Sequence, residues 1–210
     1  MSSQRGQKIF IWAMAIVMAL GTVVSFVVII FANENNRTDQ AQQQQQQAEY
    51  QQAVEEYQQK TEEQAAELSK KYYGEFSKYA DRPVEFDADG VNKLETRDLK
   101  VGVGEEITAD TEYNAYYIGW NPDGEVFDQS IENGALRSPI PGGNLIEGWN
   151  EGVKGMKIGG IREISIPASM AYGESGAGEL IGPNTPIKFV VMVIPPVEPV
   201  PFPDSGTFVN

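Results

Sequence analysis

Three patterns of apolar and polar positions follow one another along the chain. In the first, residues 9–32 (IFIWAMAIVMALGTVVSFVVIIFA) give 24 consecutive positions without a charge. About 20 apolar residues in a helix cross a hydrocarbon core of about 30 Å, so this run predicts a transmembrane helix. It outlasts the apolar stretch of a secretory signal, about 7 to 15 residues, and ends in FANEN rather than at a small-x-small site. An uncleaved anchor is therefore expected. Arg5 and Lys8 precede the span, whereas Glu34 and Asp39 follow it with Arg37 as the nearby positive charge. The excess of positive charge on the N-terminal side places residues 1–8 in the cytoplasm and everything from residue 33 outside it, giving a single-pass cell-membrane protein.

The second pattern, residues 33–91, is polar and glutamine-rich, with Gln42 to Gln47 unbroken. Tyr50, Val54, Tyr57, Thr61, Gln64 and Leu68 recur at 4-3-4-3-4 spacing, followed by Tyr72, Phe76 and Tyr79, which predicts an amphipathic helix. Two of those six positions are polar, a weak seam for a coiled coil, so a solvated stalk is expected. If wholly helical, residues 40–80 would reach about 60 Å and hold the next domain off the membrane. Pro83 ends the pattern, because proline disfavours helix in the residue before it, and a connector follows to residue 91.

The third pattern, residues 92–195, is short alternation bounded by Gly, Pro, Asn and Asp. Tyr113, Ala115, Tyr117 and Gly119 share one strand face, Asn121-Pro122-Asp123-Gly124 is turn chemistry, and EVFDQS reads as the returning strand. IREISIP, with Ile164 and Ile166 alternating, predicts another strand. So does PIKFVVMVI, with Ile187, Phe189, Val191 and Val193 on one face. Residues 144–160 (NLIEGWNEGVKGMKIGG) carry Ile146, Trp149, Val153 and Met156 at helical spacing among five glycines. Several strands and one short helix predict an α+β fold, an antiparallel sheet with the helix packed on one side. The proline-rich tail, residues 196–210, is expected to be extended or disordered, with a proline-motif ligand as the alternative.

Charge and missing residue types narrow the chemistry. The net charge is −14, and removing Arg5 and Lys8 leaves −16 on the exported part, which argues against nucleic acid or anionic lipid as partners. Without cysteine there is no disulfide, thiol catalysis or iron–sulfur site. Without histidine there is no serine-histidine triad, no histidine general base, and no ligand set for most catalytic zinc sites. Asp87, Asp89 and Gly90 lack the third ligand and terminal glutamate of a calcium loop. No metal and no cofactor are assigned.

Five motifs, in order and with matching gaps, carry a resemblance over residues 99–194: VGVGEEIT, YYIGW followed by DGEVFDQS, NLIEGWNEGVKGMKIGG, ISIPASMAYGESGAG, and LIGPNTPIKFVVMV. Together they resemble the FKBP family, the macrolide-binding peptidyl-prolyl cis-trans isomerases. The resemblance implies a short helix across a curved antiparallel sheet, with Trp149 as the floor of an apolar cleft. It also implies that the Ile146 N–H meets a substrate carbonyl and that Gly148 and Gly152 allow close approach. Tyr117, Phe127, Asp128, Trp149, Tyr172 and Phe189 match its catalytic cleft positions, and Leu145, Ile146 and Ile181 its substrate-binding ones. Tyr172 would donate to the substrate carbonyl, and Asp128 would hold Tyr117 or a ligand hydroxyl. Leu136-Arg137-Ser138 stands where the family has an aromatic-x-aromatic pair, so Leu136 is expected in the cleft wall with one ring missing.

Such an activity fits a chain with no histidine or cysteine. The barrier to peptide-bond rotation, about 18–20 kcal/mol, arises from amide resonance, and a dry pocket disfavours the charge-separated planar form relative to the twisted one. The resemblance thus implies isomerisation of X-Pro bonds in unfolded or exported polypeptides, with macrolides as further ligands. The alternative is a non-catalytic, membrane-tethered module that binds extended segments as a chaperone or scaffold.

Overall fold

A computed structural model describes residues 37–203, so the expected anchor at residues 9–32 lies outside the described residues. Among the described residues no helix is long and apolar enough to cross a membrane. The chain divides into two compact units, residues 1–52 with 204–210, and residues 53–203. In the first, the described residues belong to the glutamine-rich start of helix α1 (Arg37–Phe76), where the Gln45 amide donates to Glu49 one turn on, at 3.0 Å.

The second unit contains the rest of α1, a 3-10 turn (Ser77–Tyr79), strands β1 (Glu95–Lys100), β2 (Asn114–Trp120), β3 (Val126–Gln129), β4 (Ile131–Glu132), β5 (Ala135–Leu136) and β6 (Ile140–Pro141), helix α2 (Glu147–Val153), and strands β7 (Ile161–Ile166) and β8 (Ile187–Ile194). The main sheet is antiparallel in the order β1-β7-β8-β2-β3, with β6 also pairing to β2, while β4 and β5 form a separate hairpin. β2 and β8 pair in register from Asn114 opposite Ile194 to Trp120 opposite Lys188, which makes them the centre of the sheet. β1 was not expected. Its sequence, ETRDLK, is an exposed polar edge without apolar alternation, and its place is fixed by pairing with β7.

Period-two alternation sends each side of the sheet into its own core. Ala115, Tyr117, Ile164, Ile166, Phe189, Val191 and Val193 join Trp149 and Val153 of α2 in one cluster. The alternate positions Tyr116, Ile118, Trp120, Ile161, Val190, Met192 and Ile194 join Phe76 of α1 in the other, with Tyr72 and Tyr73 packed against it. Both faces are thus covered, not one. Residues 69–76, placed by sequence in the stalk, belong to this core: Phe76 is fully buried, and the buried Ser69 accepts the Leu136 N–H at 2.8 Å. The seam too polar for a coiled coil is sufficient here, because most of its apolar partner surface comes from the sheet.

α2 lies close to the sheet because it carries no Cβ at two contact points. A methyl on Gly148 would stand 2.2 Å from Ile166 Cγ2, and one on Gly152 would stand 2.6 Å from Ile164 Cγ2. Its C-terminal end is held from β7 by Arg162, whose Nη1 donates to the Gly152 and Lys154 carbonyls at 2.8 and 2.9 Å, while its Nε donates to Asp98 at 2.6 Å. A buried cation here satisfies carbonyls that a helix end leaves open and opposes the negative end of its dipole.

Candidate functional site

On the α2 side of the sheet, four aromatic rings pack together at the positions where the family resemblance puts its cleft. Trp149, 2% exposed, meets Phe189 at 5.1 Å between ring centroids and Tyr117 at 5.6 Å, both nearly edge to face. Phe189 also meets Tyr117 at 6.1 Å and Phe127 at 5.5 Å. Edge-to-face geometry places the positive ring edge on the negative face of the next ring, which fixes the four relative to one another. Gly119 makes room for them, since a Cβ there would lie 2.4 Å from Phe189 and 2.7 Å from Phe127. The indole N–H of Trp149 donates to the Tyr113 hydroxyl at 3.2 Å, so the floor has its polar atom satisfied from below.

Ile181 is buried in the same cluster, and Phe127, Leu145 and Ile146 are partly buried against it. Tyr172 is 37% exposed and lies close enough to Asp128 to feel its charge, and its hydroxyl makes no hydrogen bond among the described residues. Ile146 precedes α2 in an extended conformation (φ −58°, ψ 151°), with its carbonyl taken by the Trp149 and Asn150 N–H groups. Its own N–H has no partner among the described residues. Two donors, the Ile146 N–H and the Tyr172 hydroxyl, are therefore available to a ligand carbonyl.

Asp128 lies on the polar side of the cleft and accepts hydrogen bonds from the Tyr117 hydroxyl and from Arg137. Arg137 Nη2 also donates to the Tyr117 oxygen at 3.0 Å, and its guanidinium carbon lies 5.8 Å from the Tyr117 ring centre. The FDxS context has a second use: Ser130 Oγ accepts the Tyr117 N–H at 2.9 Å, and the Ser130 N–H returns to the Tyr117 carbonyl at 2.7 Å. Tyr117 is thus held at backbone and hydroxyl.

Of the expected residues, Tyr117, Phe127, Asp128, Leu145, Ile146, Trp149, Tyr172, Ile181 and Phe189 come together around this cleft. Leu136 does not. It is 3% exposed in the other cluster, with Phe76 and Tyr116, because the β4–β5 hairpin turns that side chain toward α1. Two further residues of the site were not anticipated. Arg137 carries no signal in its local motif, whereas Tyr113 had one in the strand face it shares with Tyr117.

Burial raises the Tyr117 hydroxyl above the usual tyrosine range by disfavouring the phenolate; Asp128 pushes the same way and Arg137 opposes. Burial likewise raises Tyr113, Tyr116 and Tyr172. All keep their hydroxyl protons at neutral pH. A folded-state value above the unfolded one of about 10 gives stability that is intact below about pH 10 and lost as pH rises toward the folded value. The urea midpoint is expected to fall above about pH 10, and less steeply in Tyr117→Phe. An identical alkaline slope in that variant would contradict the assignment.

The chain is also similar to known proteins. Residues 103–194 match the model of the family described as FKBP-type peptidyl-prolyl cis-trans isomerase. An FK506-binding protein of Neisseria meningitidis serogroup A is 37% identical over 105 residues, covering 50% of this chain and 96% of the relative. A probable FK506-binding protein of Corynebacterium glutamicum is 39% identical over 98 residues, 46% of this chain and 81% of that one. The peptidyl-prolyl cis-trans isomerase Mip of Coxiella burnetii is 39% identical over 103 residues, 49% of this chain and 44% of that one.

Proposed function

From the premise that this chain belongs to the FKBP-type peptidyl-prolyl cis-trans isomerases, we propose that it interconverts X-Pro bonds of exported polypeptides in the aromatic cleft, tethered to a membrane through residues 9–32. The observation that carries the cleft assignment is the convergence of four aromatic rings, with Phe189 meeting Tyr117, Phe127 and Trp149 edge to face, alongside the Ile146 N–H and Tyr172 hydroxyl as unpaired donors among the described residues. Cis and trans X-Pro forms lie within about 1 kcal/mol, so the reaction needs a lower barrier rather than a driving force. Planar amide resonance leaves charge on oxygen; rotation removes it, and an apolar cleft stabilises the less polar twisted form more than the planar one. The Ile146 N–H and Tyr172 hydroxyl would hold substrate carbonyls while the proline ring rests on Trp149. No proton is transferred, which fits a cleft whose tyrosines keep their protons. The same apolar cleft would take a macrolide, as the relatives' names indicate for them.

The non-catalytic alternative drew on a ring missing at Leu136, and that residue faces the other core, so the wall does not depend on it. Export and tethering are supported by the uncharged run at residues 9–32 and the positive charges before it. A protease-coupled assay on a Leu-Pro peptide should show turnover that Tyr172→Phe lowers about tenfold, the equivalent of about 1.4 kcal/mol. A folded chain with no turnover would overturn the catalytic reading. Protease added to intact cells should digest residues 92–195, and their protection would overturn the topology.

A further inference from the structure

Residues 195–203 (PPVEPVPFP) place five prolines in nine positions, which fixes φ at each and favours a three-residue repeat without internal hydrogen bonds. Burial follows that repeat. Val197, Val200 and Pro203 are half-buried, whereas the residues between them are exposed. The contacts lie along α1. The Gln64 side-chain amide donates to the Glu198 carbonyl at 2.9 Å, and the Tyr57 ring meets Phe202 edge to face at 5.0 Å. At the near end the Val197 N–H donates to Asn114 Oδ1 at 2.8 Å, and Val197 packs against the α1-side core.

An aromatic ring and a side-chain donor about two turns apart on one helix face, meeting a ring and a carbonyl of a proline-rich segment, are the elements by which such segments are recognised between molecules. We propose that the α1 stripe of Tyr57 and Gln64 is a second binding surface, for proline-rich extended polypeptide, and that residues 198–203 occupy it as a built-in competitor. It is separate from the aromatic cleft, since α1 and Trp149 serve opposite faces of the sheet. A tethered segment competes at an effective concentration in the millimolar range, so a weakly binding client segment is excluded until the tail is displaced. An isomerase with this surface would hold a proline-rich segment on α1 while the cleft works on X-Pro bonds beyond it. That role rests on the cleft reading; the binding itself does not.

The test is binding of the labelled peptide PVEPVPFP, followed by fluorescence anisotropy, to three forms of the protein: the parent, a chain ending at Val197, and a full chain with Val200→Gly and Phe202→Gly. The shortened form keeps the Val197 contacts that anchor the near end. Both altered forms should bind at least about tenfold tighter than the parent, and adding Tyr57→Ala to either should return binding to the parent's level. Turnover on a short Leu-Pro peptide should match the parent throughout. Equal binding by all three forms would overturn the proposal, as would binding indifferent to Tyr57 but displaced by the Leu-Pro substrate, which would place the peptide in the cleft. Loss of the isomerase reading would register separately, as absent turnover in the parent.

Discussion

Phe76→Ala should lower the stability of the protein by about 3–5 kcal/mol, the range for removing a fully buried aromatic side chain. Phe76 is 0% exposed and packs among Tyr116, Ile118 and Trp120, with its ring centre 6.3 Å from that of Tyr116. Truncation leaves a cavity between α1 and the sheet, and among the described residues the helix has no other apolar side chain as deeply buried to compensate. Turnover per folded molecule should be unchanged, because Phe76 and the cleft rings belong to different faces of the sheet. Denaturant midpoints and active-site turnover measured on the same samples separate the two effects. A variant as stable as the parent would mean that α1 is not part of the core.

Trp149→Ala should have the larger effect on activity. It removes the ring that Tyr117 and Phe189 both pack against and leaves the Tyr113 hydroxyl without its donor. Water then reaches the amide, the discrimination between planar and twisted forms weakens, and turnover should fall at least about a hundredfold, or about 2.7 kcal/mol of barrier. Stability should drop by about 3–5 kcal/mol as well, so the assay is read at a temperature where the variant is folded. Trp149→Phe restores an apolar floor without the N–H and should recover most of the turnover. If the phenylalanine variant were as impaired as the alanine one, the indole N–H rather than the apolar surface would be the essential feature.

Much of the candidate site, as a cluster of side chains, is legible in the amino-acid sequence. Trp149 and Ile146 sit in a glycine-marked motif, and Tyr117, Asp128, Tyr172 and Phe189 sit in motifs whose order and gaps match a known family. Local sequence also set the β2 and β8 faces, since a strand's alternation assigns each side chain to one of two sides. Leu136 was misplaced because a two-strand hairpin outside the main sheet can turn either way, and no periodicity specifies which. No local pattern assigns Arg137 its role, because its partners, Asp128 and Tyr117, are 9 and 20 residues away in sequence.

By itself, then, the sequence determined the elements that alternate or repeat, the family motifs, and the absence of acid–base chemistry by histidine or cysteine. Tertiary structure alone decided what each amphipathic face meets. The α1 seam is too polar to pair with a copy of itself, yet Ser69 finds a backbone donor at Leu136, and Phe76 finds the second face of the sheet. The tail has no core of its own, but Gln64 and Tyr57 give it one carbonyl contact and one ring. Burial free energy depends on the partner surface as much as on the buried residue, and that partner is supplied by residues distant in the chain.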